Sequence, residues 1–167
     1  MAVLPELLDA NAKYAAGFTK GDLPMPPGRK VVVLTCMDAR IDPAKALGLE
    51  EGDAHVIRNA GGLAAEAIRS LAISQELLGT REIVVIHHTD CGMLTFTDDV
   101  IRERLGASLG AEAGAVAAGM DFLPFSDLEQ SVRADVATIT ASPLIRPDTS
   151  VSGFVYDVTT GRLNPVE

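Results

Sequence analysis

The reactive side chains of this chain fall into two short clusters: Cys36, Asp38 and Arg40 on alternate positions, and His88, Asp90 and Cys91 within four residues. Two thiolates and one imidazole are the donors that Zn²⁺ prefers, held tetrahedrally and without redox chemistry, so Cys36, His88 and Cys91 form the candidate ligand set. Structural zinc sites close with four Cys or His ligands, and the other two histidines, His55 and His87, are not placed by the sequence to complete one. An open fourth position means bound water. A protein-held zinc lowers that water's pKa to roughly 7 and so yields a hydroxide nucleophile near neutral pH.

Asp38 and Arg40 convert a metal site into a catalytic expectation. On an extended segment Cys36, Asp38 and Arg40 share a side, so the carboxylate falls beside the metal and the guanidinium behind it. Asp38 would accept a hydrogen bond from the zinc-bound hydroxide and aim its lone pair, while Arg40 holds Asp38 ionised through a bidentate pair. Each residue alone has a plainer explanation: a buried cysteine is usually packing, a strand-end histidine a hydrogen-bonded residue, and Asp–Arg an ordinary surface pair. The chemistry rests on whether Cys36, His88 and Cys91 meet.

The elements around them bear on that question. Val31–Leu34 and Ile83–His87 are apolar runs that end in the reactive residues, as expected of buried parallel strands covered on both faces. Residues 54–58 and 151–158 read as two further strands. If the second strand lies on the far side of the first, the core order is 2-1-3-4, and the crevice beyond the first and third strands is the switch point where such α/β sheets bind ligands. Asn59-Ala60-Gly61-Gly62 leads into a helix carrying Leu63, Ala67, Ile68, Leu71 and Leu78, a candidate anion cradle that lacks the spacing of the usual dinucleotide or nucleotide loops.

Residues 4–18 have the periodicity of an amphipathic helix, and the Pro-rich stretch 21–28 detaches it from the first strand. That helix packs either on its own sheet or on a second subunit. One or two loosely specified helices begin near Asp98, a capping box opens a helix at Ser126-Asp127-Leu128-Glu129, and Thr160-Gly161 turns into the last residues.

At 167 residues the chain is expected to form one domain, 1–167, with 1–28 as an N-terminal helix and arm. A net charge of −9 and a pI near 4.7 argue against a general nucleic-acid or anionic-membrane binder. No apolar run is long enough to cross a bilayer, and two cysteines without a secretory signal point to a reducing cytoplasm.

The motifs Cys36-x-Asp38-x-Arg40, Arg58-Asn59-Ala60-Gly61-Gly62 and His88-x-x-Cys91-Gly92 resemble, in that order and with comparable separations, those of the β-class carbonic anhydrases. The segment Val151–Asp157 is similar to that family's last core strand. The resemblance implies a parallel-sheet α/β fold, one Zn²⁺ per chain on Cys36, His88 and Cys91, an Asp38–Arg40 dyad, and reversible hydration of CO2 to bicarbonate. It also implies a homodimer or dimer of dimers with the N-terminal helix over the partner, and places Gly61, Gly62 and Gly92 beside the substrate or anion.

The chain departs from many members at His87, where they carry Gly. It also has Val33 where members with a regulatory bicarbonate pocket carry Trp, although Arg58 is present. It is similar to the short microbial branch, which also contains enzymes acting on carbonyl sulfide or carbon disulfide. A non-catalytic zinc or bicarbonate-binding module is the alternative of another class, and the presence of both Asp38 and Arg40 weighs against it. A cysteine phosphatase would need an arginine six positions after Cys36, where Asp42 stands. For proton transfer the candidates by type are His55, His87 and Asp90, with Asp90 equally suited to capping the turn after His88.

Overall fold

The computed structural model describes residues 2–167. Five strands form one sheet: β1 (Val31–Cys36), β2 (Ala54–Asn59), β3 (Glu82–His88), β4 (Ser150–Tyr156) and β5 (Leu163–Val166), in the order β2-β1-β3-β4-β5. The first four are parallel, as the apolar runs imply, and the order 2-1-3-4 is the expected one. The fifth is an addition: β5 returns antiparallel along β4 after a turn at Asp157–Gly161, with Phe154 opposite Pro165. It is four residues long, carries a proline and shows little alternation, so its pairing with β4 rather than its own pattern makes it a strand.

Helices α1 (Leu4–Ala16), α2 (Pro43–Leu47), α3 (Ile68–Leu78), α4 (Asp98–Leu109), α5 (Ala111–Ala118) and α6 (Leu128–Ala141) complete the chain. Val32, Leu34, Ile83 and Val85 from the central strands pack with Leu71 of α3 and Ile139 of α6 in a fully buried core. Helix α6 lies close against the sheet because β4 carries a glycine where they meet: a Cβ on Gly153 would stand 2.5 Å from Val132 Cγ1 and 3.1 Å from Val136 Cγ2.

Three local expectations are corrected. The helix after the glycine pair starts at Ile68 rather than at Leu63, because Ala60–Gly62 and Ala64–Glu66 form separate 3₁₀ turns. The cap of α6 is Asp127, whose carboxylate accepts from the Gln130 N–H, and not Ser126 of the S-x-x-E box. Helix α1 ends at Ala16 and buries none of its residues: Leu4, Leu7 and Leu8 are each about 60% exposed. It does not pack on its own sheet, and its tail is tied to the loop before β2 by Tyr14 Oη donating to Glu51 Oε1 at 3.1 Å and by Lys20 pairing with Glu50 and Glu51.

Candidate metal centre

The carboxyl ends of β1 and β3 are neighbours, with Thr35 opposite Ile86 and the Thr35 hydroxyl donating to the Ile86 carbonyl at 2.9 Å. Cys36 therefore emerges beside His88, and the turn after β3 folds Cys91 back onto them. The two Sγ atoms and the His88 ring nitrogen lie within 4.8 Å of one another, all three residues being buried. His88 Nδ1 donates to the Thr89 carbonyl at 2.9 Å, since a carbonyl can only accept. That choice fixes the tautomer and leaves Nε2 as a bare acceptor facing the two sulfurs. Among the described residues, Nε2 is the one buried side-chain N or O atom without a hydrogen-bond partner. An orphaned buried acceptor is costly, and a cation there would satisfy it.

The sulfurs show the same incompleteness. The Cys91 thiol hydrogen bonds to Cys36, which holds the Cys36 thiol well below its ordinary range, and facing that thiolate pushes Cys91 well up. Burial is the largest single influence on His88 and opposes its charge, but the Cys36 thiolate, the Thr89 carbonyl and Asp38 together outweigh it and raise the ring. Two sulfurs sharing one proton beside a lone-pair nitrogen form a donor set that a dication completes by displacing the proton.

Asp38 sits at the rim of this cluster. Its Oδ1 accepts from the Arg40 N–H at 2.8 Å and from Arg40 Nε at 3.0 Å, and its Oδ2 accepts from Nη2 at 2.8 Å. The Arg40 guanidinium holds the carboxyl well below the usual carboxylate range, and Asp38, then Asp90, raises Arg40 in turn. Oδ2 also lies 3.8 Å from His88 Nε2, so the carboxylate stands next to the position a cation would take.

The C-terminal end of β2 braces the same segment. Arg58 Nε donates to the Cys36 carbonyl at 3.0 Å and Nη2 to the Asp38 carbonyl at 2.7 Å. Asn59 clamps the glycine turn, its Oδ1 accepting from the Leu63 N–H at 2.7 Å and its Nδ2 donating to the Leu63 carbonyl at 2.9 Å. Gly62 (φ +77°) is required there: a Cβ would come within 2.8 Å of the Thr35 carbonyl carbon and 2.9 Å of the Cys36 nitrogen.

A cavity of about 680 Å³ opens over the donors, with Gly61 and Gly92 on its wall and Ala60, Met93 and Phe96 supplying apolar surface. Gly62 lies behind Cys36 rather than on that wall, and nothing stands within 4 Å of a Cβ on Gly92, so space alone does not demand glycine at that position.

The three residues considered for proton transfer separate. His55 pairs with Val32, four residues back from the strand end, and its Nδ1 meets Ser74 Oγ at 2.7 Å. His87 is fully buried on the side facing α6, between Ser131 Oγ at 2.8 Å and Asp135 Oδ2 at 2.9 Å, its ring stacked on Phe125 at 5.5 Å. Asp90 is exposed and accepts from Arg40 at 2.7 Å. Sequence reasoning missed this contact, as it missed Met93 and Phe96. The one available signal for Asp90 was an Asp in a tight turn, a residue that tolerates the φ of +56° found there.

Comparison with known proteins gives a consistent result. A family model described as "Carbonic anhydrase" matches residues 31–163. The chain is 47% identical over 169 residues to "Beta-carbonic anhydrase 1" of Mycobacterium tuberculosis, covering 99% of each. It is 34% identical to a "Carbon disulfide hydrolase" of an Acidianus species, over 96% of this chain and 89% of that one. The solved structure "Carbonic anhydrase from Glaciozyma antarctica" superposes with a TM-score of 0.96 at 50% identity, with complete coverage of both chains.

Proposed function

Because the chain belongs to the β-carbonic anhydrase family, we propose that it catalyses the reversible hydration of CO2 to bicarbonate and a proton, as a single zinc domain. The observation that carries this reading is the unpartnered His88 Nε2 converging with two sulfurs beside an arginine-held carboxylate. Cys36 Sγ, Cys91 Sγ and His88 Nε2 would hold one Zn²⁺, the donor set and its shared proton being those a dication displaces. When bound there, zinc supplies a Lewis acid that lets water give up a proton near neutral pH.

The remaining work falls to the protein's own groups. Asp38 Oδ2 accepts a hydrogen bond from the attacking water and so turns the oxygen's free lone pair toward the substrate carbon. Arg40 keeps Asp38 ionised and therefore an acceptor only. Arg58 fixes the main chain under both Cys36 and Asp38, so donor and acceptor keep their relative positions. Ala60, Met93 and Phe96 offer apolar surface to a small linear uncharged molecule, and the exposed mouth lets the anion leave.

The relatives named for carbon disulfide support a second reading, hydrolysis of carbon disulfide or carbonyl sulfide at the same residues, since these molecules share the shape and lack of charge of CO2. We rank CO2 first, on the higher identity to the relatives named for carbonic anhydrase. The unburied apolar face of α1 supports a homodimer or dimer of dimers. The two free cysteines fit a reducing cytoplasm, and no helix among the described residues is long and apolar enough to cross a membrane. Metal analysis followed by stopped-flow CO2 hydration tests the whole reading: about one zinc per chain and rapid hydration are expected. Zinc-free protein with full activity, or carbonyl sulfide turnover far above CO2 hydration under matched conditions, would overturn it.

A further inference from the structure

Arg40 reaches in two directions, and Asp38 accounts for only one. Nη1 donates to Asp90 Oδ2 at 2.7 Å and Nη2 to the Asp90 carbonyl at 3.0 Å, while Nε and Nη2 hold Asp38 at 3.0 and 2.8 Å. Asp90 stands in the turn between His88 and Cys91, so a single guanidinium spans both segments that carry metal donors. The backbone of Asp90 adopts φ +56°, a conformation few side chains enter without cost but one that Asp tolerates. Its carboxylate is 78% exposed, so the pair adds little to stability and its value lies in where it keeps Arg40.

Building on the carbonic anhydrase reading, we propose that Asp90 is a positioning residue: it anchors the far side of the Arg40 guanidinium so that the near side stays bidentate on Asp38 and Asp38 stays off the metal. The reason is steric and electrostatic together. Asp38 Oδ2 lies 3.8 Å from His88 Nε2, and an ionised carboxylate beside a dication held by that nitrogen would be drawn toward it. What restrains it is a long side chain with many rotamers, and one anchor point does not hold such a chain in a single orientation. Asp90 supplies the second anchor from the opposite donor-bearing segment.

Two substitutions separate the carboxylate from the backbone. Asp90→Gly removes the side chain at a φ that glycine adopts freely, and Asp90→Asn keeps an oxygen able to accept from Nη1. For the parent and both variants, metal content, kcat and KM for CO2 hydration, and the visible spectrum of the cobalt-substituted protein are to be measured. The glycine variant is expected to keep one metal per chain and a KM within about twofold, to lose roughly 5- to 20-fold in kcat, and to show a changed cobalt spectrum as Asp38 moves. The asparagine variant should recover most of both signals. A glycine variant with parental kcat and a superimposable spectrum overturns the proposal, and so does an asparagine variant as impaired as the glycine one. If the parent itself fails to hydrate CO2, the functional reading falls, while the three cobalt spectra still decide the role of Asp90.

Discussion

His88 shows how a single hydrogen bond selects a chemistry: by donating Nδ1–H to the Thr89 carbonyl it leaves Nε2 no role except as a lone-pair donor. A serine at Cys91 would remove one of the two sulfurs that face it. Cys91→Ser should therefore lose most of its zinc in metal analysis while keeping its secondary structure by circular dichroism. Arg40 acts on charge and direction rather than on metal retention. Arg40→Ala should keep zinc but lower kcat at neutral pH roughly 10- to 100-fold in stopped-flow, the range usual for groups that orient metal-site residues. Asp38→Asn should likewise retain zinc with reduced kcat, since an amide can present a donor where only an acceptor is wanted. The cluster of Cys36, His88 and Cys91 was legible in the sequence because Cys36 and His88 end apolar strand runs and Cys91 follows three residues after His88. The partners of Asp90 and His87 were not. Asp90 meets Arg40 from a left-handed turn residue 50 positions along the chain, and His87 meets Ser131 and Asp135 from α6, more than 40 residues away.

At the scale of elements, the site depends on two close approaches. Gly62 lets its turn press against the end of β1, and Gly62→Ala would need both a strained φ and a shift of the Cys36 backbone. A loss of about 2 kcal/mol or more in denaturant unfolding is expected, together with weaker zinc retention. At Gly153, an added methyl meets Val132 of α6, so Gly153→Ala should cost about 1–3 kcal/mol, and combining it with Val132→Ala should cost less than the sum of the two.

The β4–β5 turn offers a pH test. Asp157 accepts from the Thr159 hydroxyl and N–H, which lowers its carboxyl to about 2. A carboxylate depressed in the folded state stabilises above its unfolded pKa, near 4, and that contribution disappears as the pH falls through about 2. The Tm difference between parent and Asp157→Ala should accordingly be steady from neutral pH to about 4.5 and shrink toward pH 2. The four parallel strands were legible from their apolar runs. The strand β5 and the Asp127 cap were not, because one is specified by its neighbour and the other by a competition between adjacent capping residues that spacing does not resolve.

For the whole molecule, α1 is the element that one copy of the chain leaves unfinished. Leu4, Leu7 and Leu8 face solvent, and a surface of that kind is normally covered. Sedimentation at micromolar concentration should show a dimer or larger assembly. If α1 lies over a partner, deletion of residues 1–20 should lower solubility by uncovering apolar surface there, and a parent that stays monomeric would count against this.

The sheet itself has two unlike margins. On one side β5 is short and bears Pro165, which has no N–H to offer an incoming strand; on the other β2 runs for six residues with no strand beyond it among the described residues, and Val56 is 44% exposed. A molecule able to bond edge to edge at one margin only cannot propagate. If two copies pair through β2, growth through the sheet terminates there, at a closed twofold pair, instead of running on into a fibril.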